Sequence, residues 1–406
     1  MSTLNRVFHN NGLFIVFNFI LFLLFYGVYV ESGTRFFTSI AIYYLTFIIS
    51  YLLIYRLIKD HLLKIQFSIT LKTNRINIKY VLYFLIVYLI FVIITHYIDI
   101  GFFPVVKAYL STDYYEIVDI RKEATRLSSL STRYLSSFLL KAIGPFLLLY
   151  LLHKKNNKLY FLIYVIMVLY AISLMQKSYI VTLVTPSLIY SIYHKKYLYI
   201  LKHILVTILY IYALLYITNP MLRNIEKPKM PNIELQEQKI VDNNKRNKTF
   251  ICSIYKRAVL TPGKIVAQWF INIPENKPFL NGCGYRLIAP ILGCEHVNYG
   301  QELYEDIFPN YAARGIKGNV NVAYFMYDYA NFGRIGLIIA GIIMAFLLCI
   351  LDLLFSFNIL YKFAINGFYI LMISSSALTT LLFSGGWGLF ILLFIIFKND
   401  LIKNSN

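Results

Sequence analysis

Long apolar runs alternate with short polar connections along most of this chain. A helix needs about 20 mainly apolar residues to cross the hydrocarbon core of a bilayer. Hydropathy predicts about ten such spans, at residues 12–30, 36–58, 80–98, 135–152, 159–176, 178–194, 197–218, 333–355, 360–382 and 385–397. The pattern therefore predicts an all-α, polytopic integral membrane protein.

Lysines indicate the orientation of these spans. They are concentrated in the connections at residues 59–79, 154–158 and 195–196, which fall on one side if the spans alternate in direction. Short cytoplasmic connections carry the excess of Lys and Arg, so this side is expected to be cytoplasmic, together with both chain termini. The first span lacks a small-residue cleavage site and is expected to be a retained anchor.

The same alternation divides the chain into three regions. Residues 1–218 are expected to form seven spans with a first outer loop at 99–134, residues 219–332 a large outer loop, and residues 333–406 three further spans. Within the large loop, residues 250–271 mix apolar and basic positions as an amphipathic helix along the membrane surface would. The Gly- and Pro-containing stretch at 281–294 is typical of an ordered loop.

Three cysteines share the large outer loop, and the fourth lies in a predicted span. In an oxidising compartment Cys283 and Cys294 would be able to close a short loop, leaving Cys252 unpaired. The odd number of cysteines leaves this pairing open.

Charge separates lysine from arginine. The formal net charge of +20 would suggest nucleic acid in a soluble domain, but the chain is 59% hydrophobic, and cytoplasmic lysines set topology and attract anionic lipid. We therefore expect membrane lipid, and no nucleic acid, as a partner. Most arginines fall on the outer side, where topology does not require them, and a guanidinium matches phosphate oxygens bidentately. They suggest a phosphorylated lipid ligand, although pairing with neighbouring acidic residues is an open alternative.

Several familiar motifs are absent from the sequence. It contains no Gly-rich phosphate loop with a Lys, no zinc-ligand spacing and no Asp-x-Asp pair to hold a divalent cation beside a nucleotide sugar. We therefore expect no cofactor, no metal and no transfer from a soluble sugar donor. Asp352 falls in a predicted span but near its end, where a charged side chain is expected to reach the membrane surface.

The segment that leads into the eighth span carries a resemblance. It reads N-V-N-V from residue 319 and N-F-G-R-I-G from residue 331. With about ten spans and a large outer loop before the last three, it resembles bacterial oligosaccharide repeat-unit polymerases, the O-antigen or Wzy-type polymerases. That family commonly has Asp-Phe-Gly, two residues and Gly at this place. Here Asn331 replaces the acid, which argues against an obligatory general base at this position.

Two weaker matches lie in the first outer loop. The stretch IDIGFFPVVKAY at residues 98–109, followed by Arg121, resembles the start of that loop in the family. Arg133 precedes Gly144 with a spacing similar to an arginine–glycine pair of O-antigen polymerases.

The resemblance implies a glycosyltransferase of the bacterial inner (plasma) membrane. Such polymerases transfer a glycan from undecaprenyl pyrophosphate to the sugar of another lipid-linked repeat unit at the outer face. The implied partners are the undecaprenyl-pyrophosphate-linked oligosaccharide, a chain-length regulator and a flippase. The reaction needs cations to stabilise the departing pyrophosphate and a base near the acceptor hydroxyl.

Site residues follow from these needs. We expect Asp328 to be the acceptor-side base, with Glu295 second. The cationic candidates for catalysis and pyrophosphate binding are Arg121, Arg314, Arg133, Arg334, Arg286 and Lys177. The candidates for sugar binding are Asn319, Asn321, Asn331, Tyr324, Tyr327 and Glu295.

Other functions share much of this layout. An O-antigen ligase would use the same donor and also need arginines. A flippase for the same glycan would not be an enzyme, and we expect it to have more spans, shorter loops and more charges within the bundle. A membrane acyltransferase is a weaker alternative, because the sequence has no convincing histidine motif for acyl transfer.

Overall fold

The computed structural model describes residues 3–72, 77–176, 178–223, 255–307, 309–313 and 318–403. The described residues are mainly helical and contain no β-strand. The helices are α1 Thr3–Ser32, α2 Phe37–Lys72, α3 Ile78–Ile100, α4 Pro104–Leu110, α5 Tyr114–Leu127, α6 Leu130–Phe138, α7 Gly144–His153, α8 Asn157–Ser173, α9 Ser178–Tyr193, α10 Tyr197–Thr218, α11 Thr261–Asn272, α12 Tyr299–Ile307, α13 Pro309–Ala312, α14 Tyr324–Leu354, α15 Ile359–Met372, α16 Leu378–Leu382 and α17 Trp387–Lys403. Short π-helical turns at Leu139–Ile143 and Lys256–Leu260 lead into α7 and α11.

Among the described residues, seven helical segments are long and apolar enough to cross a membrane. They are Asn10–Ser32, Phe37–Lys59, Ile78–Ile100, Leu130–His153, Tyr197–Thr218, Tyr324–Leu354 and Leu378–Leu401. Three shorter apolar helical segments, Asn157–Ser173, Ser178–Tyr193 and Ile359–Ser375, coincide with the remaining predicted spans. The chain is therefore an all-helical multi-pass membrane protein, while the total of ten crossings and the cytoplasmic termini stay predictions.

The chain forms two compact units that do not follow its linear order. The first comprises Met1–Gln66, Asn247–Lys362 and Tyr369–Leu381, and the second comprises Phe67–Arg246, Phe363–Phe368 and Leu382–Asn406. The first two helices thus pack with the segment predicted as the large outer loop and with α14.

Aromatic side chains from α1, α2 and α14 form the core of the first unit. The rings of Phe14 and Tyr51 stack at 3.9 Å, and those of Tyr43 and Phe325 at 4.5 Å. The hydroxyl groups of Tyr43 and Tyr324 lie 2.6 Å apart, which satisfies two polar groups inside this apolar cluster. The packing fixes the first turn of α14 against α2.

Helix α11 packs against α1 through two glycines. A Cβ atom on Gly27 would collide with the carbonyl oxygen of Val259, and one on Gly263 would collide with the backbone of Gly27. The apolar side of α11, including Trp269 and Phe270, is buried by protein. The amphipathic helix expected from the sequence thus packs its apolar side inside the first unit, while its place along the membrane surface stays a prediction.

A break in α1 is stabilised by a buried carboxylate. Asn11 has non-helical backbone angles, and just beyond it the amides of Leu13 and Phe14 donate to Asp352 Oδ1 and Oδ2, both at 3.0 Å. The Nζ atom of Lys362 lies 2.8 Å from Asp352 Oδ1, and both charged side chains are fully buried. The Tyr51 hydroxyl lies 3.0 Å from Asp352 Oδ2. Asp352 was expected to reach the membrane surface, and this prediction is wrong.

Helix α7 is the buried centre of the second unit. Every residue from Gly144 to His153 is buried, and α7 packs against α8, α9 and α17. At one end of the unit, Asp99 Oδ2 accepts from the Ser129 amide at 3.1 Å, at the N-terminus of α6. Residues 99–134, predicted as the first outer loop, contain the end of α3, all of α4 and α5, and the start of α6.

The buried ion pair leads to a stability prediction. Lys362→Met should lower the thermal unfolding temperature of the detergent-purified protein strongly, because it leaves the Asp352 carboxylate without its counter-ion, at a cost of about 3 to 5 kcal/mol. Lys122→Met, which removes an exposed ion pair to Asp119, is the matched control and should change the unfolding temperature little. Equal shifts for the two variants would contradict this role of the buried pair.

Candidate active site at the break in helix α14

Helix α14 is interrupted at the N-F-G-R-I-G sequence. Phe332 has φ −132° and ψ 15°, and Gly333 has φ 60° and ψ −135°, a conformation that residues with a side chain rarely adopt. Past the break the two parts of the helix stay close, and a Cβ atom on Gly336 would collide with the carbonyl oxygen of Asp328. These two glycines are therefore needed for the sharp change of direction. The predicted span start at 333 matches the second part, whereas the helix itself begins at Tyr324.

Residues 280–284 provide hydrogen bonds to the backbone at the break. The amides of Leu280 and Asn281 donate to the carbonyl oxygens of Ala330 and Asn331, each at 2.9 Å. In return, Asn331 Oδ1 accepts from the amides of Gly282 and Gly284 at 3.1 and 3.0 Å. The loop and the interrupted helix therefore satisfy each other's backbone groups.

A disulfide closes the segment that follows this contact. Cys283 and Cys294 are bonded, which answers the question that the cysteine count left open. The amide of Val297 donates to the Cys283 carbonyl at 3.1 Å, so the chain beyond the disulfide is also held to its base. We call residues 283–294 the disulfide loop.

Asp328 and Tyr285 form the central polar contact of the site. The Tyr285 hydroxyl donates a hydrogen bond to Asp328 Oδ1. Burial is the main cause that raises the pKa of Tyr285, and the negative charge of Asp328 raises it further. The hydroxyl therefore keeps its proton. Asp328 is half-buried, one turn before the break, and its ionised carboxylate would be an acceptor with a fixed orientation. Such a group is suited to take a proton from a sugar hydroxyl.

Two arginines adjoin this contact along the chain. Arg286 follows Tyr285, and Arg334 follows Gly333, while the rings of Tyr285 and Phe332 lie 6.2 Å apart. Both arginines are exposed, and neither guanidinium has a hydrogen bond or ion pair to another described residue. Arg35 differs, since it pairs with Glu275 at 2.7 Å.

The second unit holds two further predicted arginines, Arg121 and Arg133. Both are exposed on α5 and α6, and neither is paired with a described acidic residue. Their acidic neighbours bond elsewhere: Glu123 pairs with Lys107 at 2.9 Å and Asp119 with Lys122 at 3.4 Å. The alternative that neighbouring carboxylates neutralise these arginines is therefore not supported. Two other cationic candidates, Arg314 and Lys177, lie outside the described residues.

The predicted sugar contacts fall into two groups. The first group is accessible and consists of Asn319, Asn321, Glu295 and Tyr327. Asn319 Nδ2 donates to Asn321 Oδ1 at 3.0 Å. The half-buried Tyr327 ring packs against Trp269. Tyr324 and Asn331 are buried, and their polar atoms are bonded to protein. The sugar-binding role predicted for these two residues is corrected to a structural one, because neither side chain faces an accessible surface.

Tyr285 was missed by the sequence analysis. It lies 43 positions from Asp328 in the chain, and no local pattern connects the two. The only sequence signal is its place between Cys283 and Arg286 in a loop rich in Gly. Among the described residues, no three His, Cys, Asp or Glu side chains are grouped as a metal site requires.

Comparison of the chain with protein-family models, curated proteins and solved structures finds no match. The resemblance to the polymerases therefore rests on the motifs and layout described above.

The role of Asn331 as a double acceptor can be tested by amide exchange. Asn331→Leu should speed hydrogen–deuterium exchange at Gly282 and Gly284, because each unsatisfied buried amide costs about 1 to 3 kcal/mol. Asn331→Asp, the matched variant, keeps an acceptor oxygen and should retain most of the protection. The exchange is measured by mass spectrometry of peptides that cover residues 280–285. An unchanged exchange rate in Asn331→Leu would contradict the assignment.

Proposed function

We propose that the protein polymerises lipid-linked oligosaccharide repeat units at the outer face of a bacterial inner membrane. The observation that carries the proposal is the Asp328 carboxylate, oriented by Tyr285 at a helix break. Arg286 directly follows Tyr285 in the chain, Arg334 directly follows Gly333 of the break, and neither has an ion-pair partner among the described residues. A base and unpaired cations are the two requirements of glycosyl transfer from a pyrophosphate donor.

In the proposed reaction, Asp328 accepts the proton of a sugar hydroxyl on the acceptor repeat unit. The hydroxyl oxygen then forms a bond to the anomeric carbon of the donor glycan. The bond between that carbon and the phosphate oxygen breaks, and undecaprenyl pyrophosphate leaves with the electron pair. A positioned general base contributes about 10² to 10⁴ in rate, so its removal should be readily measured.

The arginines stabilise the departing pyrophosphate in this scheme. A guanidinium offers two parallel N–H groups to phosphate oxygens and keeps its charge at all physiological pH values. Arg334 and Arg286 are available for this role because neither is committed to a carboxylate among the described residues. Arg121 and Arg133 in the second unit, together with Arg314 and Lys177, stay candidates for phosphate binding on the strength of the sequence alone.

Sugar recognition is assigned to the accessible polar side chains near α14. Asn319 and Asn321 are exposed just before the helix, and Tyr327 is half-buried one position before Asp328. Amide groups provide both donors and acceptors for hydroxyls, and an aromatic ring can cover an apolar sugar face. Glu295, exposed beside the disulfide, completes this set.

An O-antigen ligase is the nearest alternative, because the same base and cations would serve transfer to a different acceptor. A flippase is less well supported. The described residues do contain a charged pair inside the bundle, Asp352 and Lys362, but it is bonded to the start of α1. Charges bound in this way stabilise the fold and are not exposed to a transported glycan.

Replacing Asp328 tests the base. Asp328→Asn should abolish the surface-glycan ladder on a gel when it complements a deletion strain, because the amide cannot accept the proton. Glu305→Gln removes an exposed carboxylate from α12 and should give a normal ladder. A normal ladder with Asp328→Asn, at equal membrane levels, would remove this residue from the proposal.

The deletion strain itself separates the three functions. Retention of a single capping repeat indicates a polymerase, and complete absence of glycan on its acceptor indicates a ligase. Lipid-linked units trapped at the inner face indicate a flippase.

Replacing Arg334 tests the pyrophosphate contact. Arg334→Ala should slow polymerisation by about ten- to a hundredfold, which corresponds to the loss of about 1.5 to 3 kcal/mol for a hydrogen bond to a charged group. The measurement is the rate of product formation from purified lipid-linked repeat units. Arg334→Lys should recover part of the rate. Arg257→Ala removes another exposed arginine of the same unit and should leave the rate unchanged. Equal rates for Arg334→Ala and Arg257→Ala would contradict the contact.

A further inference from the structure

The disulfide loop exposes large aliphatic side chains. Leu287, Ile288, Ile291 and Leu292 are 77%, 42%, 83% and 54% exposed. Four such residues within six positions form an apolar tip that water would not favour. Arg286, directly before them, is also exposed.

Most backbone amides of this tip, those of residues 288, 289 and 291–294, already have hydrogen bonds within the loop. The amides of Ile288 and Ala289 donate to the Tyr285 carbonyl, those of Ile291 and Leu292 to the Ile288 carbonyl, and those of Gly293 and Cys294 to the carbonyls of Pro290 and Ala289. Pro290 has no amide hydrogen to satisfy. A segment that enters the apolar part of a bilayer must pair its backbone donors within the protein, and residues 288–294 do so.

The loop is held at the level where the second part of α14 begins. Residues 280–282, directly before the loop, bond to Ala330 and Asn331. Side-chain atoms of Ile288, Leu292 and Phe332 all lie near the place where a Cβ atom on Gly282 would be. From Phe332 onward, α14 exposes a strip of apolar side chains at Phe332, Ile335, Ile338, Ile339, Ile342, Ile343 and Phe346. In a helix long and apolar enough to cross a membrane, this strip is the surface that faces lipid. The apolar tip therefore adjoins the outer end of that surface.

We infer that the disulfide loop is a membrane anchor that inserts Leu287, Ile288, Ile291 and Leu292 among the lipid acyl chains near the headgroups. Arg286, directly before them, then lies at the depth of the headgroups, where cationic side chains commonly reside. Lipid is the occupant that fits, because the tip continues the lipid-facing strip of α14 and carries no polar group to specify a protein partner. The inference does not depend on the proposed polymerase activity.

Tryptophan fluorescence in nanodiscs tests the anchor with the full chain. The native Trp269 and Trp387 are both buried, so the unsubstituted protein supplies a background for subtraction. The added fluorescence of Ile291→Trp should be lost in lipids brominated near the headgroup end of their acyl chains. It should also be shielded from aqueous iodide.

Gln301→Trp is the matched control, at an exposed polar position on α12 of the same unit. It should be quenched by iodide more than by brominated lipid. The inference is overturned if Ile291→Trp behaves like this control, which would place the tip in water. It is also overturned if Ile291→Trp is shielded from both quenchers, which would place a second copy or another protein over the tip. Leu287→Trp must give the same result and decides the matter if Ile291→Trp fails to fold.

Discussion

An interrupted helix within an apolar segment exposes backbone groups that lipid cannot satisfy, and this constraint organises the candidate site. At the break in α14, the carbonyl oxygens of Ala330 and Asn331 accept from Leu280 and Asn281. The Asn331 side chain then accepts from two amides of the same loop. Since unsatisfied groups in a bilayer cost several kcal/mol each, neither the break nor the loop conformation would be stable without the other. The position of Asp328 and Tyr285 follows from this mutual dependence.

The same constraint appears at the break in α1, with a different solution. There the partner for the amides of Leu13 and Phe14 is a carboxylate, Asp352, rather than an amide side chain. A buried carboxylate requires a counter-charge, which Lys362 supplies. The contact joins α1 to α14 and to the start of α15. The two breaks therefore differ in their need for a counter-charge. The neutral side-chain amide of Asn331 satisfies two backbone donors without burying a charge, whereas the Asp352 carboxylate satisfies two donors and needs Lys362.

Local composition predicted much of the fold, and tertiary pairing determined the rest. Apolar runs locate the helices because hydropathy belongs to each segment alone, as α1, α3 and α10 illustrate. The break at Gly333 was hidden, since glycine in an apolar helix is equally consistent with close packing. The burial of α11 depends on Gly27 lying opposite Gly263, far away in sequence. The site shows the same division: Asp328 was predicted from its position, whereas its partner Tyr285 becomes evident only in three dimensions.

Tyr285 connects the two inferences of function. Its hydroxyl orients the candidate base, its ring lies beside Phe332, and its backbone carbonyl accepts from the amides of Ile288 and Ala289 at the start of the apolar tip. A donor held by a polyprenyl chain reaches an enzyme along the plane of the membrane, with its phosphates at the level of the headgroups. The base must therefore lie at that level if the acceptor hydroxyl is to meet the donor. A loop anchored in the lipid and bonded to the helix break would fix that height. The disulfide then contributes to the proposed chemistry indirectly, because it preserves the loop geometry on which the orientation of Asp328 depends.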